Sequence, residues 1–367
     1  MIVCNEEKSL GRCLSSVADL VDEIVIVDTG STDRTKEIAA GYGARLYDFE
    51  WIQDFAAARN YSFSHASCEY VMWLDADDVI EETDRERFKA LKASLSSEYH
   101  SVAMNYVLST DDDGKPLYSL RRNRLLRRDC QFQWIGDVHE YIEVTPPTLD
   151  SDISITHKKD KEYTERNLDI YRKMIADDKP FSPRDRLYYA NELYDHAYYH
   201  EALENYRRFL ADGEGWVEDN IQACMRMADS YEALGQKQEQ LPALCRSFDY
   251  DLPRAETCCK IGYYFMDLLQ YEQALYWFKL ATTLPKRGEP GTEEYSAGTW
   301  LPNLQLCICY DKLGQHQYAD FCNEIAYAQY PAHFSVQYNR NYYRNLLGSS
   351  HIEIDTPVFE ERKELTV

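Results

Sequence analysis

Three carboxylates, Asp75, Asp77 and Asp78, close the apolar run Val71-Met72-Trp73-Leu74. Acids one residue apart at a strand tip can share a hard divalent cation, Mg²⁺ or Mn²⁺, held so that open positions remain for phosphate oxygens. An apolar run this short and bounded by charge predicts a buried parallel strand, and open α/β sheets take their ligands at the carboxyl ends of such strands. An acidic triplet is equally the composition of a solvated turn. The rest of the chain has to decide between the two.

The elements that must position these acids are legible as an alternation of strands and helices. Met1-Ile2-Val3 reads as the end of a strand, short against the roughly five residues usual for a buried one. Cys4-Asn5-Glu6-Glu7 leads from it into a helix through Leu10, Leu14, Val17 and Leu20. Glu23 to Asp28 is a continuous β-branched strand of the kind buried on both faces, and Asp28-Thr29-Gly30-Ser31-Thr32-Asp33 turns into a helix from Arg34 to Tyr42. A third strand, Gly43 to Tyr47, precedes a helix from Phe55 to Ala66, whose alanines allow close packing and whose Arg59 can reach over the strand tips. The alternation predicts an α/β fold with a mostly parallel, doubly wound sheet. Its ligand edge gathers Asn5, Glu6, Asp28, Arg59, Asp75 and Asp77.

After a helix from Arg85 to Leu95, the strand-like runs Ser101–Ser109 and Leu117–Leu126 are joined by Thr110-Asp111-Asp112-Asp113-Gly114-Lys115-Pro116, a hairpin signal. This second acidic triplet reads as a solvated turn. Gln133 to Glu140, a strand from Tyr141 to Val144, the break Pro146-Pro147, a strand from Ile153 to His157 and the hinge Lys158–Lys161 complete the first part. From Tyr163 onward the pattern is helical and loosely repeated. Ala202, Gln240, Ala274 and Ala319 recur at intervals of 38, 34 and 45 residues, near the 34-residue period of helix-turn-helix repeats. Tyr231-Glu232-Ala233-Leu234-Gly235 and Tyr310-Asp311-Lys312-Leu313-Gly314 share their wording. The organisation expected is a sheet domain over 1–160, an all-α repeat domain over 161–350 and a tail over 351–367. The many tyrosines of the second half suit inter-repeat packing or, alternatively, a concave face for a peptide or glycan.

Of the 367 residues, 40 are Lys or Arg and 63 are Asp or Glu, a net charge of −23. That balance disfavours nucleic acid and anionic membrane surfaces as partners. The 11 cysteines are scattered and without a Cys-x-x-Cys pair, the pattern of reduced thiols in a cytoplasmic protein. No apolar run approaches the ~18 residues of a membrane span, and Met1 opens no signal peptide.

Asn5-Glu6-Glu7, Val25 to Asp33, Ala58-Arg59-Asn60 and Trp73 to Asp78 resemble, in order and spacing, the glycosyltransferase family 2 (GT-A) fold over about the first 160 residues. The helical half is similar to the tetratricopeptide (TPR) extension of one bacterial branch, which includes relatives that glycosylate peptides. The resemblance implies a nucleotide-sugar donor, most often a UDP-sugar, an inverting transfer, and a divalent metal, Mn²⁺ or Mg²⁺. It implies nucleotide contacts from Val3, Asn5, Glu6, Asp28, Arg59 and Asp75. The metal-diphosphate pair would be Asp75 and Asp77 of the DxD motif, with His157 completing the metal shell. Trp134-x-Gly136-x-Val138-His139-Glu140 resembles the acceptor-side motif, in which an acid is the general base. The short first strand is the one departure from the family pattern, because the backbone contacts to the base normally made upstream are missing from it.

Inversion at an anomeric carbon needs a base opposite the departing diphosphate and a cation to balance the charge developing there. Glu140 is the first candidate for the base and Asp137 the second. His139 either donates to phosphate or orients Glu140, and His157 is either a ligand or a structural histidine. The function expected is a cytoplasmic, metal-dependent glycosyltransferase acting on a protein, peptide or glycan acceptor, with a homodimer left open. The alternative is a catalytically impaired scaffold that binds partners through its repeats. A nucleotidyltransferase would show a Gly-rich, basic phosphate loop near Met1, and the sequence has none.

Overall fold

The computed structural model describes residues 1–110, 116–158, 164–284 and 296–351, with the side chains of 116–118 excepted. The Asp-Gly turn after Thr110, the hinge residues 159–161 and the tail from 352 lie outside the described residues. The chain forms two compact units, Met1–Ala197 and the part that begins at Tyr198.

The first unit opens with β1 (Ile2–Val3), α1 (Leu10–Val17), β2 (Val25–Asp28), α2 (Thr35–Gly41), β3 (Arg45–Asp48) and α3 (Phe55–Ser64). Its first three strands pair in parallel in the order β1-β2-β3, with Val3 opposite Asp28 and Asp28 opposite Asp48. The strand tips therefore lie side by side. Leu10, Leu14, Ile26 and Ala39 are fully or almost fully buried between this sheet and the first two helices.

Beyond α3 the sheet becomes mixed. Strands β4 (Tyr70–Met72), β5 (Asp78–Val79), β6 (Ser101–Thr110), β7 (Pro116–Arg127) and β10 (Thr148–His157) take the order β4-β7-β6-β10-β5, around the helix α4 (Glu82–Ser94). Only β6 and β10 run parallel there; β4 pairs antiparallel with β7, Met72 opposite Leu125. The strand before the acids thus takes its neighbour from the later hairpin, whose long strands offer a full ladder. A separate pair, β8 (Trp134–Ile135) and β9 (Tyr141–Ile142), carries the turn that holds Gly136 to Glu140. Between β2 and β4 lies a cavity of about 300 Å³, lined by Met1, Val25, Tyr70, Met72, Phe88 and Leu125 among others.

The sheet ends at His157, near the boundary expected at 160, but the compact unit continues through α5 (Arg166–Ala176) and α6 (Pro183–Asp195). Ile170, Tyr171 and Met174 of α5, with Tyr188 and Tyr189 of α6 packed against them, bury Val138, which ties both helices to the turn before Glu140.

The second unit is all helix: α7 (Tyr199–Asp212), α8 (Val217–Ala233), α9 (Lys237–Arg246), α10 (Ala255–Asp267), α11 (Tyr271–Thr283), α12 (Trp300–Lys312), α13 (His316–Gln329) and α14 (Phe334–Leu347). The repeated positions are all buried, Ala202, Ala274 and Ala319 fully and Gln240 almost so. At Gly262 a β-carbon would lie 2.6 Å from the ring of Phe278, so only glycine admits that ring. Gly235 and Gly314 follow α8 and α12 in left-handed conformation, with φ of 69° and 73°. The repeated Leu-Gly wording is therefore a helix-stop signal.

Candidate functional site

Arg59 is the hub of the first unit's strand tips. Asp54 caps α3 by accepting the N–H of Ala57 at 2.8 Å, and Ala56 and Ala58 pack close, which seats Arg59 over the tips. Its guanidinium lies 5.3 Å from the ring centroid of Trp73 and 4.9 Å from that of Trp134. It donates through Nη2 to Asp75 Oδ1 at 2.8 Å and through Nε to Glu140 Oε1 at 2.5 Å. Burial opposes charge on Asp75, but Arg59, with Arg124, outweighs it and lowers that carboxyl to about 2. Asp75, Arg59 and Glu140 are thus brought together, with Asp75 turned to the arginine.

The neighbouring cluster consists of Asp77, Asp78 and His157, each offering a ligand atom within 4.8 Å of the others. The pairing of β10 with β5 sets His157 opposite Asp78. Its Nδ1 is 3.5 Å from Asp77 Oδ1, 3.6 Å from Asp78 Oδ1 and 3.0 Å from the Tyr106 hydroxyl. Asp78 is fully buried, ion-paired to Arg124 at 3.0 Å, and accepts the N–H of Asp75 at 3.0 Å, so it locks the acidic turn. Asp77 is only partly buried, its side chain 22% exposed. Burial first, then Asp75 and Asp78, push its carboxyl up to about 6 against the opposing effect of His157. His157 is raised by its contact with Asp78 and, against burial, by the charges of Asp77 and Asp78. Two carboxylates and an imidazole that hold more negative charge than their neighbours balance are a donor set suited to Mn²⁺ or Mg²⁺.

At the other end of the edge, Asp28 is 1% exposed. Its Oδ2 accepts the N–H groups of Gly30 at 3.1 Å and Ser31 at 2.9 Å. Burial works against its charge, but the Ser31 and Gly30 hydrogen bonds and Lys36 hold it below the ordinary carboxylate range. Its Oδ1, equally buried, has no hydrogen-bond partner among the described residues. An orphan acceptor of this kind is what the N–H of a nucleobase would satisfy. Val3 accepts the N–H of Thr29 at 2.9 Å. Asn5, at φ 55°, accepts the N–H of Thr32 at 2.8 Å, and Glu6 donates its N–H to Thr35 Oγ1 at 2.7 Å. Val3, Asn5 and Glu6 therefore shape the turn after β2.

The three candidate catalytic residues, the two base candidates and His139, are held differently. Both oxygens of Asp137 contact Lys179 Nζ, at 2.6 and 2.5 Å. Among the described residues Glu140 accepts a side-chain hydrogen bond through Oε1 alone, from Arg59. His139 bonds through Nε2 to Glu192 Oε1 at 2.7 Å, away from the other two. Sequence reading missed Asp78 with Arg124, and it missed Tyr106, Lys179 and Glu192. Asp78 was visible as the third acid of the run, whereas the others become neighbours only through strand pairing and helix docking.

Residues 1–145 match the family model for glycosyl transferase family 2. A TPR repeat-containing protein of Synechococcus elongatus is 37% identical over 143 residues, which are 39% of this chain and 34% of that protein. The glycosyltransferase SunS of Bacillus phage SPbeta is 27% identical over 229 residues, 57% of this chain and 53% of its own length. This chain thus spans between a third and about half of these curated relatives. Among solved structures, a tetratricopeptide repeat protein of Parabacteroides merdae aligns with a TM-score of 0.39 at 14% identity, over 50% of this chain and 66% of that one. The first 145 residues are accordingly a glycosyl transferase family 2 domain, and successive helices make up the rest of the described chain from Arg166.

Proposed function

We propose that this family 2 domain transfers a sugar, with inversion, from a nucleoside-diphosphate sugar, in the first instance a UDP-sugar, to a protein, peptide or glycan acceptor. The observation that carries the reading is the convergence of Glu140, Arg59 and Asp75 beside the cluster of Asp77 and His157. An acid to take a proton and a carboxylate-imidazole set to hold a cation are the two groups an inverting transfer needs.

In this reading the orphan oxygen of Asp28 receives the nucleobase N–H, and the turn shaped by Asn5 and Glu6 borders the ribose. Asp77 and His157 would hold the divalent cation, with Asp78 backing them. When bound, that cation balances negative charge on the departing diphosphate. Glu140 is the base: Arg59 fixes its Oε1, and its Oε2 has no hydrogen bond among the described residues, free to take the acceptor proton. Asp137 is disfavoured in that role because Lys179 engages both of its oxygens.

Glu140→Gln tests the assignment. Transfer should slow by about 100-fold or more, the usual scale for losing a general base, while donor binding persists. Near-normal turnover would move the base elsewhere.

A further inference from the structure

Helix α6 lies beyond the 145 residues that the family match covers, yet it grips the corner from which Glu140 projects. His139 stands at φ 50°, a left-handed conformation uncommon for a residue with a β-carbon. Three side chains of α6, spaced four apart on one face, hold it there. Arg184 donates to the His139 carbonyl at 3.2 and 3.3 Å. Tyr188 stacks on the imidazole, with centroids 4.4 Å apart and an interplanar angle of 28°. Glu192 Oε1 lies 2.7 Å from His139 Nε2. Glu192 is 2% exposed, and the same oxygen accepts Asn167 Nδ2 at 2.9 Å.

A buried carboxylate is costly unless its hydrogen bonds are made. Here one of those bonds goes to the imidazole immediately before the proposed base and another to Asn167. A carboxylate that accepts Nε2–H fixes both the tautomer and the orientation of a histidine ring. With its ring clamped and its carbonyl held, His139 cannot relax toward an ordinary backbone conformation. The next residue is then presented to Arg59 in one direction.

We infer that Glu192 is a positioning residue for the transfer reaction: through His139 it fixes the corner that aims Glu140. The inference rests on the proposed function above. It adds that the helices after the family-matched region complete the site, so the matched region alone would carry a misaimed base.

The test uses the full chain and the variants Glu192→Gln, Glu192→Asp and Glu192→Leu. Sugar-nucleotide turnover is followed with Mn²⁺, beginning with UDP-glucose and UDP-N-acetylglucosamine and continuing through the GDP-, CDP- and dTDP-sugars. ¹⁵N NMR reads the imidazole tautomers, with His139→Gln assigning the His139 signal. Glu192→Gln should lower kcat by about 10- to 100-fold, the scale for losing a residue that orients a functional group, with the donor KM within about twofold of wild type. Glu192→Asp should restore part of kcat. Wild-type His139 should be in the Nε2–H form, and Glu192→Leu should lose that preference. An unchanged kcat, a loss of kcat matched by a loss of donor affinity, or an Nδ1–H tautomer in the wild type would each overturn the inference alone. A wild-type chain that turns over none of these donors would overturn the transfer reading first, and this inference with it.

Discussion

Each unit gathers two carboxylates and a histidine within 4.8 Å, Asp77–Asp78–His157 in the first and Asp320–Glu324–His351 in the second. By residue type the two are nearly the same cluster. Their surroundings separate them. In the helical unit Asp320 contacts His351 Nδ1 at 2.9 and 3.0 Å, and Arg340 pairs with Glu324 at 2.9 Å. Arg344 Nε donates to His351 Nε2 at 3.3 Å. Both carboxylates are closed off from solvent, and each faces its own cationic or donating partner. In the sheet unit Arg124 is committed to Asp78, and Asp77 stays partly exposed, with His157 its one ion-pair partner among the described residues. Closure from solvent makes the helical cluster a lock, whereas carboxylates partly exposed at a strand tip could receive a cation. Cluster composition alone does not distinguish them.

The comparison breaks most easily on the closed side. Arg340→Met leaves Glu324 buried without its counter-charge, and breaking a buried pair in this way costs about 3–5 kcal/mol, read as a lower urea midpoint of the helical unit. Asp77→Asn should act in the opposite direction. A carboxyl raised from 3.8 to about 6 binds its proton more tightly folded than unfolded, so its ionised form penalises the native state above that value. The asparagine variant should gain about 1–2 kcal/mol at pH 8 after screening at a partly exposed site, and the gain should vanish below about pH 4. Unchanged stability at pH 8 would mean that the charge is already balanced. The same carboxyl sets a smaller effect. Mn²⁺ must displace this proton and that of His157, so Mn²⁺ affinity of the wild type should fall steeply as the pH drops below about 6, and a flat affinity there would contradict the assignment.

Much of this site was legible from the chain. The β-branched run ending at Asp28 and the apolar run ending at Asp75 mark their own tips, and the alanines before Arg59 announce close packing. What escaped depends on contacts distant in sequence. The pairing of β4 with β7 brings Arg124 onto Asp78, and nothing in either local run encodes the direction of that pairing. Asp75 was read as a metal ligand beside Asp77, but a guanidinium within reach competes for it. Glu192 looks like any helical glutamate until α6 docks on the turn at His139. In the second half the glycines after α8 and α12 and the buried alanines were readable, because helix stops and helix contacts are local and periodic.

In the proposed reading the partly exposed cluster beside Arg59 serves a nucleoside-diphosphate sugar. Calorimetric titration of the chain and of Asp77→Asn with UDP, GDP, CDP and dTDP, with Mn²⁺ and then with EDTA, tests it without the need for an acceptor. One diphosphate should bind the wild type with Mn²⁺, EDTA should abolish that binding, and Asp77→Asn should lack the metal-dependent part. Equal binding with and without metal, or equal binding by the variant, would contradict it.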